Sequence, residues 1–524
     1  MGKQSCGRRY ARAAWGNKII SIGRPGSRVV PVAVGALLVL AATALSTGSP
    51  AVAAAPRLTR YPYLTDVVSA GSRDNTTVSF GTDQTVTAAF VTVGPAGGSC
   101  TGARATGSKT SVSVNGVAEF QWKAKFTGLS PGASYCYRLF VGKPTSPGAD
   151  LLGSDPSPVF VTPPAPGSGG SFKFAVFGDW GSTSSAGTNP DQASLDQQIA
   201  ASGALFALGT GDTAYPSGSQ TNYGDLFQTG PNISDVFAPG FFKTIGDSIP
   251  MYNTLGNHGL TATFLNTWPQ PTAPSLSGGR YRMATYCCVN GTRSVHLPSA
   301  WYAFSVGKAR FYVLDAAWPD NNVGTGTLYS DDYAAHWSPN VFGDEYQWLA
   351  SDLAAHPDGL KFVVMHFPMY ADNPTEPSDP YLHSGRTSLT DQPGSVASLL
   401  SQHGVQFVFN GHAHIYERNA QPPGESFVSY VTGGGGAPLE PVGTGTGCEM
   451  KLVFFMFMTG EKGPRGQRIV GQALGQRYGR NRGRPDKKRL WDRGFGRRHK
   501  VPRLRGMTVR RWAAARELCG YGRD

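Results

Sequence analysis

Five apolar runs in this chain each break off into a short polar motif: "FKFAVFGDWG" (172–181), "LFALGTGDTAY" (205–215), "PMYNTLGNHG" (250–259), "KFVVMHFP" (361–368) and "VQFVFNGHAH" (405–414). Runs of this length, rich in β-branched and aromatic residues, read as buried strands. Candidate helices lie between several of them, such as "DQASLDQQIAAS" (191–202) and "DEYQWLASDLAAH" (344–356). Strands alternating with helices predict α/β layers, whose ligands gather at the carboxyl ends of the strands. In the last run, a chain that stays extended beyond residue 409 would point His412 and His414 to the same side, since side chains two apart share a face.

The polar ends carry metal-ligand chemistry: Asp179 in the first, Asp212 and Tyr215 in the second, Asn257 in the third, His366 in the fourth, His412 and His414 in the fifth. Each has a plainer explanation taken singly. Asp179 or Asn257 can hold a turn, Tyr215 can pack with its hydroxyl bonded, and His366 can be a satisfied core histidine. Five polar strand ends in one α/β region call for a common purpose, and carboxylate, phenol, amide and imidazole together point to a dinuclear metal site.

The order and spacing of these motifs resemble the calcineurin-like metallophosphoesterase superfamily and, within it, the purple acid phosphatases. General members have a histidine two residues after the first aspartate, where this chain has Gly181. Purple acid phosphatases take a tyrosine from a GDxxY motif instead, matched by Tyr215, and "GHAHIYER" (411–418) looks like their last block. The resemblance spans about residues 57–447. It implies that Asp179, Asp212, Tyr215 and His414 hold Fe(III), and that Asp212, Asn257, His366 and His412 hold a divalent ion (Zn, Fe or Mn), with Asp212 bridging. It also implies hydrolysis of phosphomonoesters by a metal-activated water, with His258 contacting phosphate or aiding the leaving group. The family commonly has an acid after GNH; Gly259 stands there instead. Plant-type members place a histidine soon after "HxPxY", for which His383 is the nearest candidate. Arg418 is expected to pair with Glu417 or another carboxylate, and "TGGGG" (432–436), lacking the Lys-Ser/Thr of a phosphate loop, reads as a tight turn beside the site. Phosphodiester hydrolysis at the same site, or a non-catalytic metal-binding or adhesion protein, remain the alternatives.

The rest of the 524 residues sets the context. Residues 57–162 are rich in Thr, Val, Ser and Gly with short alternating runs. "LSPGASYCYRLFVG" (129–142) reads as a turn and a strand with Tyr135, Tyr137 and Leu139 on one face. This predicts a β-sandwich, and the stretch resembles the fibronectin type III-like domain that precedes many purple acid phosphatase catalytic domains. The fold class expected is therefore an all-β sandwich followed by an α/β (α-β-β-α) domain. The boundaries read are a signal peptide at 1–53, the sandwich at 54–163, a linker at 164–171, the catalytic region at 172–447 and a tail at 448–524. Arg24 and Arg28 precede an apolar run (29–46) and "AVA" (51–53), as in an export signal; Arg8-Arg9 hints at the twin-arginine route. The expectation is a secreted or extracytoplasmic protein with no membrane span after cleavage, cell-wall association being open. Cys100 and Cys136 could pair in such a compartment. Cys287, Cys288 and Cys448 read as structural, with one loop disulfide to Cys448 possible.

Net charge misleads if taken whole. There are 47 Lys/Arg against 34 Asp/Glu overall, yet residues 54–449 hold only 19 of the bases and 29 of the acids. An acidic body gives no case for nucleic-acid binding; the expected partner is a phosphate-ester substrate. The basic excess sits in the Arg/Gly-rich tail, read as a polyanion-binding segment, a disordered tail or, the reading favoured, out-of-frame translation of a GC-rich gene.

Overall fold

Along the strand Lys173–Phe177 successive side chains enter two different cores, as a strand buried on both faces requires. Phe174 and Val176 pack with Phe206, Tyr252, Phe311, Phe362 and Phe409, while Ala175 and Phe177 pack with Leu195, Ile199 and Ile245. In the computed structural model, described residues run from 55 to 473. They exclude 71–72, 184–187, 229, 235, 238–242, 259–281, 288–291, 298–300, 317–343, 377, 379–381, 383–394, 444–447, 453–455 and 464–465.

Two large sheets, besides a two-stranded hairpin of Arg282–Cys287 and Thr292–Leu297, form the α/β region. One has the order Met251–Asn253, Phe206–Gly209, Lys173–Phe177, Met456–Gly463, Gly466–Ala473, the first three parallel. The other runs Tyr302–Val306, Ala309–Val313, Leu360–Val364, Phe407–Asn410, Val428–Thr432, Tyr416–Asn419, Cys448–Leu452, with its four middle parallel strands from Ala309–Val313 to Val428–Thr432. The Phe-rich cluster draws side chains from both sheets, so they pack face to face. Helices cover the outer faces. Pro190–Ser202 lends Leu195 and Ile199 to one side; Asp344–Ala355 and Val396–Gln402 lend Leu349, Leu353, Leu399 and Leu400 to the other. Both helices named from sequence are present. The first is delimited by the Asn189 side chain accepting from Gln192 N, Pro190 in the first turn and Gly203 in the left-handed conformation at its end.

Sheet backbone continues beyond residue 447, where the sequence reading ended the catalytic region. Lys173–Phe177 needs a partner on the side away from Phe206–Gly209, and Met456–Gly463 pairs there antiparallel; Cys448–Leu452 likewise pairs Tyr416–Asn419. Residues 1–54, holding the signal reading and Cys6, lie outside the described residues, as do 474–524 with Cys519, and Cys288.

Upstream, all strand pairing is antiparallel. Leu58–Ala70, Arg73–Asp83, Val117–Leu129 and Ser108–Val114 form one sheet. Ala103–Thr106, Ala89–Pro95, Ser134–Lys143 and Ser146–Asp150 form the other, with Val159–Val161 also pairing Ser134–Lys143. Val78, Phe80 and Trp122 from the first meet Val91, Tyr137 and Leu139 from the second in one core, with Tyr135 half-buried against it. This is the expected sandwich. Cys100 and Cys136 are joined by a disulfide with Cα atoms 5.2 Å apart. Arg60 and Glu119 form an ion pair at 2.7 Å with both side chains buried. Tyr63, from the first sandwich strand, enters the α/β core and stacks on Phe237 at 4.9 Å.

Candidate metal centre

Every motif residue expected at a strand's carboxyl end stands just beyond one: Asp179 after Phe177, Asp212 after Gly209, Asn257 after Asn253, His366 after Val364, and His412 and His414 after Asn410. Since the two sheets pack face to face, these five ends meet. Asp179, Asp212 and His412 have φ of +60°, +48° and +69°, a left-handed conformation that costs a non-glycine residue of order 1–3 kcal/mol and concentrates at functional sites.

The chain past the last strand does not stay extended, contrary to the expectation from spacing alone. Ala413 N donates to Gly411 O at 2.9 Å and Ile415 N to Ala413 O at 2.7 Å, so it coils in tight turns. The two histidines consequently serve different neighbours. Tyr215 Oη lies 2.9 Å from His414 Nε2, 3.3 Å from Asp179 Oδ1 and 3.2 Å from Asp212 Oδ2. His366 Nε2 lies 2.7 Å from Asn257 Oδ1 and 3.3 Å from the same Asp212 Oδ2. His412 Nδ1 is 3.1 Å from Asn257 Oδ1. Two donor groups thus share one carboxylate oxygen.

Each imidazole has one nitrogen in these groups and the other bonded outward. His366 Nδ1 meets Thr210 O at 2.8 Å, His414 Nδ1 meets Pro438 O at 2.7 Å, and His412 Nε2 meets Glu376 Oε2 at 2.8 Å. An outward acceptor fixes the tautomer and turns the inward lone pair toward a cation. Burial also pushes the His414 imidazole below its usual range, toward the neutral form that ligates.

The acids show what the site lacks on its own. Burial, then the facing Asp212 charge, pushes Asp179 well above the carboxylate range. Burial pushes Asp212 the same way, but His366 and His258 outweigh it and hold Asp212 low. Burial and both aspartates push Tyr215 well up. Among the described residues the partners of the two carboxylates are Tyr215, His258 N, His366, His412 N and His414, with no lysine or arginine among them. Facing carboxylates and a phenol in a buried site are matched by a cation. Ligand atoms of Asp179, Asp212 and His366 fall within 4.8 Å of one another.

Residues 172–416 match the family model for calcineurin-like phosphoesterases. Over those residues the chain resembles the calcineurin-like phosphoesterases. Among curated relatives, a zebrafish (Danio rerio) acid phosphatase type 7 is 25% identical over 330 residues, covering 60% of this chain and 61% of the relative. The chain therefore matches less than two thirds of that relative's length. Among solved structures, the purple acid phosphatase PPD1 from yellow lupin (Lupinus luteus) seeds shares the fold. It has a TM-score of 0.54 at 16% identity, covering 81% of this chain and 73% of that one. The matched region carries a candidate metal-binding site at Asp179, Asp212 and His366.

The position of Gly181 explains the tyrosine. Its φ is +73°, and a Cβ there would run into Thr213 O. A histidine at 181 has no room, and Tyr215 reaches the same neighbourhood from the next strand end. The glycine turn at 432–436 lies beside the site as expected: Gly435 N bonds Gly178 O at 2.8 Å, and a Cβ on Gly433 would strike Ala413 O. His258 N donates to Asp212 Oδ1 at 2.8 Å, its Nδ1 meets Pro216 O, and its ring lies 4.5 Å from that of Tyr215. His383 lies outside the described residues, as does Gly259.

Arg418 Nε donates to Tyr430 Oη at 3.2 Å, while Glu417 accepts from Asp372 N at 2.8 Å. Neighbours in a strand face opposite sides, so these two side chains serve different surroundings. Sequence reasoning missed Glu376, Asn373 and Glu440. "ADNPTEPS" (371–378) announces a turn through its Asn-Pro, but nothing local couples Glu376 to a histidine 36 residues later.

Proposed function

We propose that this chain is an exported phosphatase that cleaves phosphomonoesters at a dinuclear metal centre, of the acid phosphatase type. The observation that carries the reading is the shared Asp212 Oδ2, 3.2 Å from Tyr215 Oη and 3.3 Å from His366 Nε2. Asp179, Asp212, Tyr215 and His414 would hold one ion, best suited to Fe(III) because two carboxylates and a phenolate are hard anionic donors. Asp212, Asn257, His366 and His412 would hold the other, a divalent Zn, Fe or Mn, with neutral amide and imidazole donors. Two such ions supply an activated water and a clamp on phosphate oxygens.

The chain's own groups do the rest. Pro216 O can only accept, so His258 Nδ1 carries its proton toward it, leaving Nε2 for substrate. A proton on Nε2 as well makes an imidazolium that can hand it to the departing alkoxide oxygen. Pro216 O and Asp212 Oδ1 thus supply an orientation for His258 that does not depend on an acid at position 259. Export is read from the N-terminal sequence pattern and supported by the Cys100–Cys136 disulfide. Among the described residues no helix is long and apolar enough to cross a membrane. Residues 54–163 and 172–447 are the module bounds proposed, with strands to Ala473 completing the sheets.

The test is metal analysis with a visible spectrum, alongside matched hydrolysis of p-nitrophenyl phosphate and bis(p-nitrophenyl) phosphate. Two ions per chain, one of them iron, a violet colour and faster monoester cleavage are expected. A colourless protein would remove the ferric–tyrosinate assignment. Faster diester cleavage would make it a phosphodiesterase, and two ions with neither substrate cleaved would favour the non-catalytic reading.

A further inference from the structure

Of the three outward bonds that orient His366, His412 and His414, two end on backbone carbonyls and one on a side chain, Glu376. A backbone carbonyl is fixed by the fold, whereas a carboxylate on a loop must itself be held. Glu376 is held. The Asn373 side chain, 3% exposed, accepts from Glu376 N at 3.0 Å and from Thr375 N and Oγ1 at 2.8 and 2.6 Å. Its amide nitrogen donates to Glu440 Oε2 at 2.8 Å, and the same oxygen accepts from His414 N at 3.1 Å. Glu440 N in turn donates to His414 O at 3.2 Å. The base of the loop is tied down where Asp372 N meets Glu417 and Ala371 N meets Ser378 Oγ at 2.9 Å. One continuous set of bonds therefore runs from the His414 backbone through Glu440 and Asn373 to Glu376 and the His412 ring.

We propose that Asn373, Glu376 and Glu440 form a clamp on the Gly411–His414 turn, in which Glu376 is the positioning residue for His412. The proposal rests on the dinuclear reading above. By accepting from Nε2, Glu376 turns the Nδ1 lone pair toward Asn257, 3.1 Å away, and so toward the subsite shared with His366. A carboxylate outside a ligating histidine also makes it a better donor, and losing such a partner typically costs about 10–100-fold in metal affinity or activity. An incidental surface ion pair would contribute almost nothing. The buried asparagine and the four bonds behind Glu376 mark this one as built, because ordering a turn has an entropic cost that an incidental pair does not offset.

The test uses the full chain, stripped by chelator and titrated with Zn(II) by calorimetry, as wild type, Glu376→Ala, Glu376→Gln and Asn373→Ala. The wild type takes two equivalents. Glu376→Ala weakens one equivalent by about 10–100-fold and leaves the other unchanged. Glu376→Gln, whose amide oxygen still accepts from Nε2–H, recovers to within about threefold of wild type. Asn373→Ala, which touches no histidine, weakens the same equivalent. Thermal melting of the stripped proteins stays within a few degrees throughout, so the loss is one of positioning rather than folding. A Glu376→Ala titration that superimposes on wild type, or a Glu376→Gln as weak as the alanine variant, overturns the clamp and leaves the dinuclear reading standing. A wild type that takes up no second equivalent overturns both.

Discussion

Glu417 offers a test that depends on neither substrate nor metal. Its side chain is buried, and that burial pushes its carboxyl from 4.5 up to about 8. Below pH 4.5 the group is protonated in folded and unfolded chains alike and pH has no hold on it. Between 4.5 and 8 the unfolded chain ionises while the folded one keeps its proton, so stability falls as pH rises. Above 8 both are ionised and the full penalty persists. Each tenfold change in proton affinity is about 1.4 kcal/mol, which sets a ceiling of about 5 kcal/mol. Relaxation and water entry in real proteins bring the expectation down to about 2–3 kcal/mol. Glu417→Gln removes the ionisation, and its amide oxygen can still accept from Asp372 N, now 2.8 Å from the carboxylate. Urea unfolding of the metal-stripped chain is expected to match wild type within about 1 kcal/mol at pH 5 and to show the variant more stable by about 2–3 kcal/mol above pH 8. Parallel stability profiles from pH 5 to 9 would refute the claim that Glu417 folds as a buried, neutral acid.

Three further outcomes are expected. Arg60→Met strands the buried Glu119 and should cost about 3–5 kcal/mol, whereas Arg60→Met with Glu119→Leu should return to within about 1 kcal/mol of wild type or exceed it; denaturant unfolding of these three chains and of Glu119→Leu alone closes the cycle. Replacing Cys100 and Cys136 by serine opens a loop of separation 36, lowering stability by about 4 kcal/mol on loop entropy, a loss that reducing agent alone should reproduce in the wild type. Tyr215→Phe removes the hydroxyl shared by Asp179, Asp212 and His414; visible absorption should vanish and kcat fall by about 10²-fold or more, while His258, in contact with the ring, keeps its bond to Pro216 O.

The sequence by itself marked the strands and the polar residues at their ends. Period and composition marked Lys173–Phe177, Phe206–Gly209, Leu360–Val364 and Phe407–Asn410 as buried strands, and an acid, amide or imidazole at the end of a buried strand is conspicuous because the core rejects it. What each residue touches was decided in three dimensions. Local spacing pointed His412 and His414 to one side, yet two short turns send them to different neighbours, His412 to Asn257 and His414 to Tyr215. Glu376 and Glu440 look like ordinary loop acids until the sheets bring their loops against the histidines. The reason is physical: periodicity reports which face of an element leaves water, a property of neighbours along the chain. Partners at a site are set by how two packed sheets align their strand ends, through contacts between residues tens to hundreds of positions apart, and no local pattern encodes that distance.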